Sequence, residues 1–109
     1  RVAAQAESSR ETEYRLFGQV TGALIDAQRN GQETGPLVDA IDWNKKLWRT
    51  LAADCMDDRN QLPQEVRAKI VSLSLWIAKY SRQVTRNGAS LDPLIEVNRN
   101  MMQGLKGAA

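Results

Sequence analysis

The chain has 109 residues, of which 42% are hydrophobic and 26% charged, a composition typical of one globular domain. Its formal net charge is only +2, which gives no electrostatic argument for binding nucleic acid. It has no histidine, the usual general base and the commonest metal ligand, and its single cysteine excludes an internal disulfide. No uncharged run approaches the ~20 residues that span a membrane, and no signal peptide is predicted.

The first predicted helix begins at a capping box, with Ser8 as its N-cap and Glu11 three residues later. Either residues 1–8, up to and including this cap, form a frayed arm, or the residues before Ser8 extend the helix. Asn30 and Gly31 are predicted to end the helix, because glycine suits the left-handed position after a C-terminus. Between these limits apolar residues recur at helical spacing, namely Leu16, Phe17, Val20, Ala23, Leu24 and Ala27.

The second predicted helix begins at Pro36, runs to about Cys55 and contains two of the three tryptophans. On a helical wheel its apolar arc spans roughly half the circumference, wider than the ~100° stripe of a surface helix. This helix is therefore predicted to have neighbours on two sides. One edge of the arc holds Trp43, Leu47 and Leu51, the other holds Ile41 and Trp48, and Asn44 lies between them.

The third predicted helix follows a polar loop at residues 56–61, begins at Pro63 and ends at Asn87 and Gly88. Its long apolar stripe, which Leu75 and Trp76 widen, predicts the most buried helix of the chain. The stripe consists of Val66, Ile70, Leu73, Ile77, Tyr80 and Val84.

The fourth predicted helix begins with Asp92 as its cap and Pro93 as its first residue. Residues 104–109 are predicted to be a flexible tail because glycines interrupt them. The apolar stripe of this helix consists of Leu94, Ile95, Asn98, Met101, Met102 and Leu105.

The predicted fold is all-α, because no segment shows the alternation of a strand. The predicted loops are short, and short loops favour antiparallel neighbours. We therefore expect residues 1–109 to form a single domain, an antiparallel bundle of about four helices.

Catalysis and metal binding are not predicted. Cys55 lies near Asp54, Asp57 and Asp58, whose negative charges raise a thiol pKa and so oppose a nucleophilic role. The same aspartates are expected to lie in a solvated loop rather than to bind a cation. One cysteine without histidine cannot make a zinc site. The sequence predicts no enzyme activity, no cofactor and no metal.

Two asparagines lie within apolar stripes, Asn44 on the second helix and Asn98 on the fourth. A buried amide without a partner costs about 1–3 kcal/mol, so each should have one. Either they are core residues that bond to each other or to a loop carbonyl, or one of them contacts a bound peptide. Similarly, Trp48 and Trp76 are predicted to fill the core, whereas Trp43 is either a core edge or an anchor for a partner.

The most specific pattern in the chain is Trp43-Asn44-x-x-Leu47-Trp48-x-x-Leu51-x-x-Asp54. Together with several other segments it resembles the FlaF family, flagellar biosynthesis regulators of alphaproteobacteria. The resemblance covers about residues 3–106. The other segments are Arg10-Glu11-x-Glu13-Tyr14-Arg15-x-Phe17, Val20-Thr21-x-Ala23-Leu24, Leu62-Pro63, Ser72-Leu73-Ser74-Leu75-Trp76, Asn98-Arg99 and Met102-x-Gly104-Leu105.

The resemblance implies a cytoplasmic, non-enzymatic protein needed for flagellin production and export that acts as a flagellin chaperone. It implies flagellin as the partner, and it adds a second regulator, FlbT, which affects translation of flagellin mRNA. No membrane insertion and no direct contact with nucleic acid are expected. The family supplies no catalytic residues to carry over.

A hydrophobic groove between the first two helices is the expected docking site for an amphipathic helix of flagellin. Its predicted lining is Phe17, Val20, Trp43, Leu47 and Leu51, with Arg15 or Lys46 on the rim. Two alternatives stay open: a regulator that acts with FlbT on flagellin mRNA, and an adaptor that binds only FlbT. Direct RNA binding would need a basic face with stacking aromatics, whereas Arg67, Lys69, Arg82 and Arg86 look scattered and the tryptophans are predicted on the apolar side.

Overall fold

Four helices make up almost all of the described chain: α1 (Val2–Arg29), α2 (Thr34–Met56), α3 (Gln64–Asn87) and α4 (Asp92–Gly107). The computed structural model describes the backbone of residues 2–107 and the side chains of residues 11–106. The helices form an antiparallel bundle about 45 Å long and 22 by 19 Å across. The predicted all-α bundle of four helices is confirmed.

The helix starts differ from the prediction. Residues 8–11 lie inside α1, so the predicted capping box is wrong and the segment before it continues the helix. Good helix formers such as alanine and glutamine favour this continuation. Helix α2 begins two residues before Pro36, which lies in the first turn, where its missing N–H has no helical acceptor to lose.

The ends of α3 and the start of α4 are close to the prediction. Pro63 is the N-cap of α3 rather than its first helical residue, and Gly88 ends the helix with φ of 68°, as predicted. Asp92 is the first residue of α4, and its side chain accepts a hydrogen bond from Gln28 Nε2 at 2.6 Å rather than capping the helix. Residues 104–107 are the last turn of α4, and residues 108–109 lie outside the described chain.

The core lies where α2 packs between α1 and α3, while α4 packs on α1. The backbones of α3 and α4 approach each other less closely than these pairs do. Trp48 and Phe17 are the two largest fully buried side chains, and their rings meet edge to face with centroids 5.5 Å apart. Apolar side chains from all four helices therefore form one core, which includes Leu24, Ile41, Ile77, Val84, Leu91 and Leu94.

Helix α3 is not the most buried helix. Leu75 is 67% exposed and Trp76 is 37% exposed, so the prediction that Trp76 fills the core is wrong. Instead its ring stacks on that of Tyr80, with centroids 5.2 Å apart. The buried face of α3 is rotated toward Ser74 and Ser81, whose small side chains allow a close approach of a neighbouring helix.

Arg67 on α3 satisfies carbonyl groups at the C-terminal end of α2. Its Nε donates to the Cys55 carbonyl at 2.7 Å, and its Nη2 donates to the Asp57 carbonyl at 3.0 Å. Carbonyls at a helix end have no partner within the helix, and bonds from a charged donor to them are strong. The guanidinium therefore ties the ends of α2 and α3 together.

We expect Arg67→Ala to lower the free energy of unfolding by about 1.5–3 kcal/mol, because it removes charged hydrogen bonds from a partly buried site. Arg82→Ala on the same helix removes an exposed side chain that makes no such bond to any described residue, and its effect should stay within about 0.5 kcal/mol. Urea unfolding followed by circular dichroism measures both. Equal losses in the two variants would contradict a special role for Arg67.

Candidate partner-binding groove

An apolar groove of about 590 Å³ lies between α3 and α4 and has part of α2 as its floor. It is present because the backbones of these two helices do not close on each other. Its lining consists mainly of apolar side chains from three helices. They are Leu51 and Cys55 of α2, Val66, Ile70 and Leu73 of α3, and Val97, Met101 and Leu105 of α4.

The dimensions of this α3/α4 groove match a short helical segment. From Val66 to Leu73 the α3 wall extends about two turns, roughly 10 Å at 1.5 Å per residue. From Val97 to Leu105 the α4 wall is slightly longer. An amphipathic helix presents anchors at i, i+3, i+4 and i+7, which also cover about two turns. Polar and charged groups of both signs lie at the groove, including Glu13, Asp54, Lys69 and Asn100.

The floor of the groove includes the thiol of Cys55. Cys55 is buried, and this burial raises the pKa of its thiol above the ordinary value, although the nearby Arg67 charge opposes the shift. Asp54 and Glu13 add to the increase. The thiol is therefore protonated near neutral pH and contributes an apolar surface rather than a nucleophile. The predicted increase in the thiol pKa is confirmed, but its main cause is burial rather than the charge of the aspartates.

The aspartate loop after α2 is organised by Arg59. This side chain makes a two-point contact with the Asp57 carboxylate, with Nη2 to Oδ2 at 2.9 Å, and lowers the pKa of Asp57. Within the described residues, no three His, Cys, Asp or Glu side chains come together as a metal site.

A buried polar network links α2 to α4. Asn98 Nδ2 donates to Asn44 Oδ1 at 2.8 Å, and Trp48 Nε1 donates to Asn98 Oδ1 at 2.9 Å. Both asparagines and Trp48 are fully buried, so in this structure none of them can reach a partner at the surface. The network fixes α4 against α2, the helix that forms the floor of the groove, and thereby positions the α4 wall.

The residues predicted to bind a partner do not form one surface. Phe17 and Val20 are 1% and 0% exposed, so the groove predicted between the first two helices is not open in this structure. Trp43 is 40% exposed, and Leu47 is partly buried against the core. Arg15 and Lys46 are exposed, and Leu51 is the predicted residue that lines the α3/α4 groove.

The chain matches the family described as flagellar protein FlaF over residues 1–105. It belongs to the FlaF family. A comparison with curated proteins gives no significant match, and a comparison with solved structures gives none. The family match covers nearly the whole chain, including the buried network and the lining of the α3/α4 groove.

The FlaF match makes this a flagellar protein. What the protein binds has to be inferred from the groove and the helix surfaces. Among helices of the described chain, none is both long and apolar enough to cross a bilayer. The groove walls on α3 and α4 were missed because their apolar residues were assigned to a closed core. The available signal for the groove was the width of the apolar stripes on both helices, which is greater than contact with one neighbouring helix requires.

Proposed function

We propose that this FlaF-family protein is a non-enzymatic chaperone that binds flagellin in the cytoplasm and supports its synthesis and export. The α3/α4 groove is the observation that carries the proposal, because it is apolar, open and about two helical turns long. This site replaces the one predicted between the first two helices. The partner segment is an amphipathic terminal helix of flagellin with its apolar face in the groove.

The proposed binding mode explains how premature assembly of flagellin would be prevented. Flagellin termini that are disordered before assembly expose apolar residues, and a groove that covers one apolar face blocks its contacts with other copies. Ordering such a segment costs about 2–5 kcal/mol of the interaction free energy. The resulting modest affinity suits a chaperone that must release its cargo at the export apparatus.

We expect Val66→Asp to weaken flagellin binding at least about tenfold, because a carboxylate in an apolar contact loses hydration without gaining a partner. Val66 is 42% exposed and lies in the first turn of α3, where a negative charge is favoured, so the fold should be retained. Calorimetric titration with flagellin, and with fragments of each terminus, measures the affinity. Far-ultraviolet circular dichroism verifies the helix content of the variant.

The matched control is Val38→Asp, which makes the same substitution at a side chain that is 37% exposed, lies near the start of α2 and is outside the groove. Its flagellin affinity should equal that of the wild type. Wild-type affinity in Val66→Asp would contradict the placement of the site. Absence of flagellin binding by the wild-type protein would contradict the function itself, and binding of FlbT alone would then favour an adaptor.

The RNA alternative gains one observation from the structure. The prediction that the tryptophans lie on the apolar side is wrong for Trp76, which is exposed on the same helix as Lys79 and Arg82. A direct RNA-binding regulator would show RNA affinity that falls steeply with salt. Titration of the purified protein with flagellin mRNA at two salt concentrations tests this alternative.

A further inference from the structure

The outer face of α3 carries a second surface, which we call the basic ridge: Leu75, Lys79, Arg82 and Arg86. These residues follow one another at intervals of four, three and four, so they form one stripe along the helix. The stripe is about 16 Å long at 1.5 Å per residue. All four side chains are exposed, and none of them lines the α3/α4 groove.

Positive charge is concentrated on this part of the chain. Residues 66–91 contain five basic residues and no Asp or Glu. Since the whole chain has 15 basic and 13 acidic residues, the remainder has 10 and 13 and is net negative. The ion pairs among the described side chains join Lys45 to Asp42 and Arg59 to Asp57. The three cations of the ridge therefore form no ion pair with a described carboxylate.

We propose that the basic ridge docks an acidic protein segment, an amphipathic helix with one apolar anchor and carboxylates along the same face. Leu75 contacts the anchor, and the three cations pair with the carboxylates. Trp76 is 37% exposed beside Leu75 and borders the anchor site. Exposed tryptophan and arginine are the side chains most enriched at the energetic centres of protein interfaces.

A single-stranded nucleic acid fits the basic ridge less well. Proteins that bind such strands provide aromatic platforms on which successive bases stack. Here one face of Trp76 is covered by Tyr80, with their ring centroids 5.2 Å apart, so at most one stacking surface is left. Leu75, the apolar member of the stripe, is exposed but offers no ring for stacking.

An anionic membrane surface also fits less well. A helix that lies on a membrane separates its apolar face from its cationic face, so that one inserts while the other contacts headgroups. On the basic ridge, Leu75 and the cations share a single stripe. A protein helix with mixed chemistry along one face matches that arrangement better.

The test uses a synthetic helical peptide with a central leucine and glutamates 4, 7 and 11 residues away on either side, so that either orientation can pair with the ridge. Two control peptides have glutamine in place of glutamate, or the same composition in scrambled order. Fluorescence anisotropy should show binding of the first peptide that weakens with salt, and at least about tenfold weaker binding of both controls, as expected when charge pairs fix the register.

The deciding variant is Arg82→Glu with Arg86→Glu, which should weaken peptide binding at least about tenfold. Lys46→Glu with Arg49→Glu makes the same charge change on the exposed face of α2 and should leave the affinity within about twofold, since those charges lie outside the contact. Leu75→Ser should reduce affinity severalfold through loss of the anchor. Circular dichroism verifies that each variant is folded.

Equal losses in the two double variants would overturn the proposal, because they would show only attraction to net charge. Tighter binding of oligouridine or of phosphatidylserine vesicles than of the peptide, lost in Arg82→Glu with Arg86→Glu, would overturn it as well. Self-association that this double variant removes would also overturn the proposal, because it would assign the ridge to a second copy of the chain. None of these results depends on flagellin binding, so the ridge and the groove are tested separately.

Discussion

Replacement of Asn98 by leucine is expected to lower the free energy of unfolding by about 2–6 kcal/mol. The substitution keeps the side-chain size but removes both hydrogen bonds of the buried network, those to Asn44 Oδ1 and from Trp48 Nε1. Each buried group left without a partner costs about 1–3 kcal/mol. The loss is a large fraction of the ~5–15 kcal/mol that stabilises a domain, so Asn98→Leu should be near its unfolding transition at moderate temperature.

Asn100→Leu is the matched control, because it makes the same change two residues away on α4 at an exposed position. Its free energy of unfolding should stay within about 0.5 kcal/mol of the wild type. Urea unfolding followed by circular dichroism at 222 nm, a helix signal, compares the two variants. A loss below about 1 kcal/mol in Asn98→Leu would contradict this prediction. It would show that water readily replaces the two lost hydrogen bonds and that the network does not hold α4 in place.

The network should respond differently when all of its polar atoms are removed together. Asn44 Nδ2 has no hydrogen-bond partner among the described residues. Combining Asn44→Leu, Asn98→Leu and Trp48→Phe removes every unpaired group at once. Such a variant should recover part of the stability lost in Asn98→Leu, because apolar replacement of a buried polar cluster at similar volume is often close to neutral. Recovery is incomplete because Trp48→Phe leaves a cavity in the core.

Local sequence signals were sufficient for the helices and for part of the core. Apolar residues at helical spacing located all four helices, and Gly88 marked the end of α3 because a left-handed residue was needed there. Pairing of Asn44 with Asn98 was one of two alternatives, and the geometry of that pair depends on α2 and α4 being neighbours. Helix starts were less certain because Ser8 suits a cap and is also tolerated inside a helix.

The position of the groove could not be obtained from any single helix. The apolar stripe predicted for α3 was widened by Trp76 and left out Ser74 and Ser81, whereas the structure buries both serines and exposes Trp76. The wide apolar arc of α2 predicted neighbours on two sides, and α1 and α3 both pack against that helix, so this arc did not locate the groove. An open groove results from how far apart two helices lie, and this distance is set by the packing of the whole bundle.

Phe17→Ala is the second substitution with a large expected effect, a loss of about 3–5 kcal/mol in the free energy of unfolding. Phe17 is 1% exposed and meets Trp48 edge to face, so its removal leaves a cavity beside the buried network. Trp43→Ala removes a larger ring that is 40% exposed, and its loss should be smaller, roughly 1–2 kcal/mol. The comparison separates a core aromatic from a surface one, although both were predicted to contact the partner.

Urea unfolding of the two variants measures the stability difference, and calorimetric titration with flagellin measures binding under conditions in which both are folded. If Phe17 belongs to the core alone, Phe17→Ala loses stability while the folded protein keeps an affinity within a fewfold of wild type. The opposite result, wild-type stability with lost affinity, would mean that the partner reaches Phe17 by separating α1 from α2. Such an opening would expose Val20 and Leu24 as well, and both are fully buried here. Exposing these apolar side chains costs about 1.5–3 kcal/mol each, which a weakly bound segment cannot readily supply.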